Sequence, residues 1–122
     1  MKKISLGNKE IIHFIGIGGI GMSGLAQIMK GMGFNVQGSD LNNNKNIENC
    51  KKIGIKIFFR HSKKSISKAT IIVKSSAIKN NNIEIIEARR KLIPIYERVQ
   101  MLANIVSLKK NIIISGSHGK TT

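Results

Sequence analysis

The chain has 122 residues, enough for one hydrophobic core and little more, and carries 21 basic against 6 acidic residues for a formal charge of +15. No apolar run approaches the ~18 residues needed to span a bilayer. The N-terminus is broken by charges, unlike a signal peptide, and the single Cys50 excludes an internal disulfide or a multi-cysteine metal site. These features read as a soluble, cytoplasmic protein without a membrane partner. The charge is less informative than its size suggests. Ile, Lys and Asn number 24, 17 and 12, all with A/T-rich codons, whereas Arg contributes four and aromatics 4%. Surfaces that read nucleic acid favour Arg forks and stacking rings, so the lysines read as a solvated surface and no nucleic-acid partner is expected.

In chain order, short β-branched runs alternate with helix-forming stretches, the pattern of a parallel sheet with crossover helices. Residues 10–16 predict a first strand, followed directly by a glycine-rich turn. A helix is predicted over 20–32, with Met22, Leu25, Ala26, Ile28 and Met29 as its apolar face and Gly33 as its stop. Residues 35–39 form a second strand ending at Asp40, and a short helix over 47–53 stops at Gly54. Strands are predicted at 55–59 and 69–75, a helix at 83–91, a short strand at 92–96 whose Pro94 suits an edge, and a helix at 97–107. A last strand at 111–115 enters a second glycine-rich loop. The whole predicts an α/β fold with a doubly wound, mostly parallel sheet.

Two loops have the chemistry of phosphate binding. Gly16-Ile17-Gly18-Gly19-Ile20-Gly21 is an unbroken G-x-G-x-x-G between a strand and a helix. Gly16 suits the tight turn, Gly18 lets backbone N–H groups approach a pyrophosphate, and Gly21 is expected to let helix and strand pack closely. Asp40, 19 residues beyond Gly21, is placed to accept a ribose hydroxyl. A tight turn without a ligand is the plainer alternative. The second loop, Gly116-Ser117-His118-Gly119-Lys120-Thr121-Thr122, ends as a P-loop does: Lys contacts β/γ-phosphates and the hydroxyl of Thr121 ligates Mg²⁺. Full spacing would need glycine at position 114, where isoleucine stands. A strand and loop here lack the following helix, so 1–108 reads as one domain and 109–122 as the opening of a truncated second.

Together, the stretch Gly16–Ala26, then Gly38-Ser39-Asp40, Ser76-Ala77-Ile78, Asn82-Ile83-Glu84, Arg98–Ala103 and Gly116–Thr122 resemble the Mur ligases over residues 11–122. The resemblance implies a Rossmann-like N-terminal domain that holds a UDP sugar, followed by a central domain for ATP and Mg²⁺. It is strongest to members that join L-alanine to UDP-N-acetylmuramate in peptidoglycan synthesis, ahead of those that attach a murein tripeptide. By position it implies that Gly18, Gly19, Ile20, Gly21, Met22 and Ser23 cradle the UDP diphosphate. Asp40 would lie at the uridine end, with His61, Ser75 and Ser76 nearby, and residues 116–122 would hold ATP. Such a fragment is expected to be inactive alone, and its oligomeric state is open. The alternative reading, from Gly16–Gly21 and Asp40 only, is an NAD(P)-binding oxidoreductase domain. His13 reads as a packed core residue, and Cys50 as filler.

Overall fold

The computed structural model describes the backbone of residues 4–120 and the side chains of residues 4–110. Five strands form one all-parallel sheet: β1 (Ile11–Ile15), β2 (Asn35–Ser39), β3 (Lys56–Phe58), β4 (Ile71–Lys74) and β5 (Ile95–Glu97), in the order β3-β2-β1-β4-β5. Three helices connect strands, α1 (Ile20–Gly31), α2 (Lys45–Lys52) and α3 (Ile83–Arg90), and α4 (Arg98–Lys120) follows β5. A 3-10 turn at Lys64–Ile66 completes the crossover from β3 to β4. β1 lies between β2 and β4, so the strand order reverses beside it.

The central strands are apolar on both faces because helices cover both. Ile12, Phe14, Val36, Ile71 and Val73 pack with Met22, Leu25, Ala26 and Met29 of α1, Ile47 and Cys50 of α2, and Met101 and Ile105 of α4. On the other face Ile15 and Ile72 meet Ile66 of the 3-10 turn and Ile85 and Ala88 of α3. This is the doubly wound arrangement expected, with boundaries that differ by a few residues.

Helix α4 departs from expectation. Instead of stopping near Ser107 and giving way to a strand at 111–115, its backbone continues as helix to Lys120. Residues 98–115 contain neither Gly nor Pro, so nothing local ends the helix. A helix also satisfies its backbone internally, whereas a strand requires a partner. Gly116–Lys120 therefore lie on a helical backbone, their side chains outside the described set, and Thr121 and Thr122 lie outside the described residues.

Three helices end in one motif, and one end is strained. At α1, Gly33 N–H bonds to Lys30 O and Phe34 N–H to Met29 O; at α2, Gly54 bonds to Lys51 and Ile55 to Cys50. At α3, Leu92 N–H bonds to Arg89 O and Ile93 N–H to Ala88 O. This Schellman geometry needs a left-handed residue after the cap. Gly33 and Gly54 supply it at φ 98° and 89°, but α3 uses Leu92 at φ 60°. Leu92 is 88% exposed, so its side chain gains little from burial in return. Leu92→Gly is expected to raise stability by about 1 kcal/mol, read as a higher urea midpoint at unchanged slope. A lower midpoint would contradict the strain.

Candidate nucleotide site

The first glycine loop joins β1 to α1 at the carboxyl edge of the sheet, where the strand order reverses. Open α/β sheets bind their ligands at this place. Gly16 takes φ 79°, and the N–H groups of Gly16 and Ile17 both donate to Ser39 O, at 2.8 and 3.1 Å. That bond draws the loop across the end of β2, where a Cβ on Gly38 would lie 2.5 Å from the Ile17 side chain. Gly18 N–H donates to Asp40 Oδ2 at 2.8 Å. Its carbonyl accepts from the side-chain amides of Asn44 and Asn46, at 3.2 and 3.1 Å. A Cβ on Gly18 would sit 2.8 Å from Asp40 Oδ2 and 3.1 Å from Ile47.

These bonds hold the loop so that α1 begins uncapped. Gly19 is its N-cap and offers no side-chain acceptor, and the first turn carries no acidic residue. Ser23 N–H already donates to Gly19 O. The N–H groups of Ile20, Gly21 and Met22 have no acceptor among the described residues, and Gly19, Ile20 and Gly21 are exposed. Three convergent N–H donors at the positive end of a helix macrodipole form an anion cradle.

The candidate residues fall into four groups. Gly18–Met22 and Asp40 come together at this cradle. Asp40 spends one oxygen on Gly18 and accepts Asn42 N–H at 3.1 Å on the other, which leaves lone pairs for a hydroxyl ligand. The side chains of Met22 and Ser23 turn inward: both are buried, and the Ser23 hydroxyl donates to Ile20 O at 3.3 Å. Its hydroxyl is therefore spent on the helix. Ser75 and Ser76, beyond β4, line a separate cavity of about 120 Å³ with Glu97, Arg98 and Val99. A larger cavity of about 340 Å³, lined by Ile11, Asn35, Val36 and Lys56, lies at the opposite, amino edge of the strands.

His61 belongs to a polar cluster beside the end of β2. At its centre is Glu84, fully buried, one of only six acidic residues. Its Oε1 accepts from His13 Nε2 at 3.0 Å and from the Ser39 hydroxyl at 2.6 Å. Its Oε2 accepts from Ser62 N–H at 3.0 Å and lies against the Ser65 hydroxyl. His61 Nδ1 reaches Ser39 Oγ at 2.9 Å. Gln37 Nε2 donates to Ser65 O at 2.7 Å and to His13 Nδ1 at 2.8 Å, so His13 keeps its proton on Nε2. Burial alone would raise the Glu84 pKa. The hydrogen bond from His13, with those from Ser39 and Ser65, outweighs it and holds the carboxyl at about 2. The cluster ties β1, β2, the loop after β3 and α3 together, just before Asp40.

Arg98, Glu84, Asn44 and Asn46 were not candidates from sequence. Asn44 carried a faint signal, an Asn three residues before Ile47, and it caps α2 by accepting Ile47 N–H at 2.9 Å. Gly21 has a different reason from the one expected. It is exposed rather than wedged against a strand, and a Cβ there would meet the Arg98 side chain at 3.0 Å.

A doubly wound sheet with a glycine-rich, uncapped helix start at its switch point is the architecture of a Rossmann-like α/β domain. The chain belongs to the Mur ligase family: residues 11–110 match the family described as Mur ligase family, catalytic domain. It is 71% identical over 98% of its length to UDP-N-acetylmuramate--L-alanine ligase of Pelagibacter ubique, of which it covers 26%. It is 52% identical over 93% of its length to the enzyme of the same name from Rickettsia felis, covering 24% of it. The crystal structure of UDP-N-acetylmuramate-alanine ligase from Thermotoga maritima superposes on 82% of this chain and 23% of its own, with a TM-score of 0.78 and 34% identity. The chain thus spans about a quarter of the length of the curated relatives it matches. Among the described residues no helix is long and apolar enough to cross a membrane.

Proposed function

We propose that this chain is the UDP-sugar-binding domain of an ATP-dependent ligase that joins L-alanine to UDP-N-acetylmuramate in peptidoglycan synthesis. The observation that carries the reading is the uncapped start of α1 at the switch point, with three N–H donors that have no acceptor among the described residues, in a chain 71% identical to a ligase of that name. Those donors match the oxygens of a diphosphate, and Asp40 lies beside them for a hydroxyl. The domain's work is to hold and orient the sugar nucleotide. ATP, with Mg²⁺, supplies activation of the muramoyl carboxylate for attack by alanine's amine. By resemblance Gly116–Thr122 would hold ATP, with Lys120 on its phosphates and Thr121 on the metal, and 109–122 would open the ATP-binding domain. Most of the reaction's groups then lie beyond this chain, so the chain alone would be inactive. The reading places the ligase in the cytoplasm, where ATP and sugar nucleotides are available.

The nicotinamide-dependent alternative has no support among these relatives. Because NAD also carries a pyrophosphate, the test compares the two ligands directly. Titration calorimetry at matched ionic strength should show UDP-N-acetylmuramate binding at least about tenfold more tightly than NAD. Equal or tighter binding of NAD would overturn the reading.

A further inference from the structure

We infer that Arg98 is a phosphate-binding residue of the nucleotide site, supplying the positive charge that the glycine loop lacks. The inference rests on the UDP-sugar reading and deepens it. No Lys or Arg occurs between Lys9 and Lys30, so the loop offers only backbone donors. Asp40 adds a negative charge directly beneath Gly18. A diphosphate placed on the cradle needs a cation to offset both its own charge and that of Asp40.

Arg98 is placed to provide it. It is the first residue of α4, immediately after the carboxyl end of β5. Its Cδ and Nε lie 3.0 Å, and its guanidinium carbon 3.1 Å, from where a Cβ on Gly21 would be. The side chain therefore crosses the first turn of α1, and glycine at 21 is what leaves it room. Arg98 is partly buried and makes no hydrogen bond or ion pair among the described residues. The nearby cation Lys74 is already engaged, 3.8 Å from Glu97 and 3.4 Å from Ile78 O. Arg98 also lines the cavity holding Ser75, Ser76 and Glu97. The acid there has Lys74 as its partner, which leaves the guanidinium fork for a ligand. An anion spanning from the α1 cradle toward this cavity would meet backbone N–H groups first, then Arg98, then two serine hydroxyls.

The test uses Arg98→Met, which keeps the stem over Gly21 and removes the charge, and Arg98→Lys, which keeps a point charge without the fork. Affinity for UDP-N-acetylmuramate is measured by calorimetry across a salt series, with ³¹P NMR of the bound diphosphate and a thermal melt of each variant. Arg98→Met should bind about 10- to 100-fold more weakly, with a shallower salt dependence and an altered ³¹P spectrum, at an unchanged melt. Arg98→Lys should recover part of the affinity. Wild-type affinity and salt dependence in Arg98→Met would overturn the inference while leaving the nucleotide reading standing. No binding by the wild-type chain would overturn that reading and this inference with it.

Discussion

Replacing Gly18 with alanine is expected to lower affinity for UDP-N-acetylmuramate by at least about a hundredfold while the rest of the domain stays folded. The added Cβ would lie 2.8 Å from Asp40 Oδ2 and 3.1 Å from Ile47. Ile47 is fully buried in the core and cannot yield, so the loop or Asp40 must move. Either movement breaks the Gly18–Asp40 bond, and a shift of the loop also breaks the two amide bonds from Asn44 and Asn46 that fix its path. The α1 cradle then loses its aim. Charge-assisted hydrogen bonds are worth about 1.5–3 kcal/mol each, and misdirecting two of them accounts for the factor. Calorimetry on Gly18→Ala, with Asp40→Asn as a milder companion, checks this. Undiminished binding by Gly18→Ala would remove the loop from the site.

The largest expected effect on stability comes from Glu84. Glu84→Ala removes the acceptor for His13 Nε2, the Ser39 hydroxyl and Ser62 N–H, the first two fully buried, and opens a void beside them. Orphaned donors and the void together cost about 3–5 kcal/mol. Domains of this size have only about 5–15 kcal/mol in total, so urea denaturation should place this variant near the edge of folding. Glu84→Gln keeps the volume but turns an amide donor toward existing donors, and should cost less. A loss below 1 kcal/mol in Glu84→Ala would show that the cluster is not a stabilising unit.

The same carboxylate sets an acid dependence. Its folded pKa, about 2, lies below the ordinary value of 4.5. The unfolded chain therefore binds more protons between these values. The stabilisation is complete above pH 4.5 and declines as pH falls toward 2. Glu87, lowered by its hydrogen bond to Arg90, contributes in the same direction. The contribution of Glu84 is thus read as the difference between wild type and Glu84→Gln, which should shrink as pH is lowered from 6 to 3.

The strands, the helices through α3, and the first phosphate loop were legible because their signals are local. A β-branched run such as Ile11–Ile15 has both faces covered in a parallel sheet, so it reads as continuous apolarity rather than alternation. Gly33 and Gly54 mark helix ends through the left-handed geometry they alone adopt freely. The glycine spacing of Gly16–Gly21 encodes a turn whose purpose is visible from composition. The end of α4 was not legible, since the apolar run 111–115 suits a strand or a buried helix equally and no breaker separates it from residue 98.

By itself, then, the amino-acid order determined the alternation of strands and helices and the phosphate loop, because each depends on neighbours close along the chain, and it marked Asp40 by its spacing from that loop. The tertiary structure decided what surrounds them. It brought Arg98 across Gly21 from the far side of the switch point, and gathered His13, Ser39, Ser65 and Glu84 from four separate segments around one buried carboxylate. It also turned Ser23 inward, onto the carbonyl of Ile20. Charge compensation and the satisfaction of buried polar groups depend on distances through space, and residues 71 or 77 positions apart carry no local mark of the contact they will make.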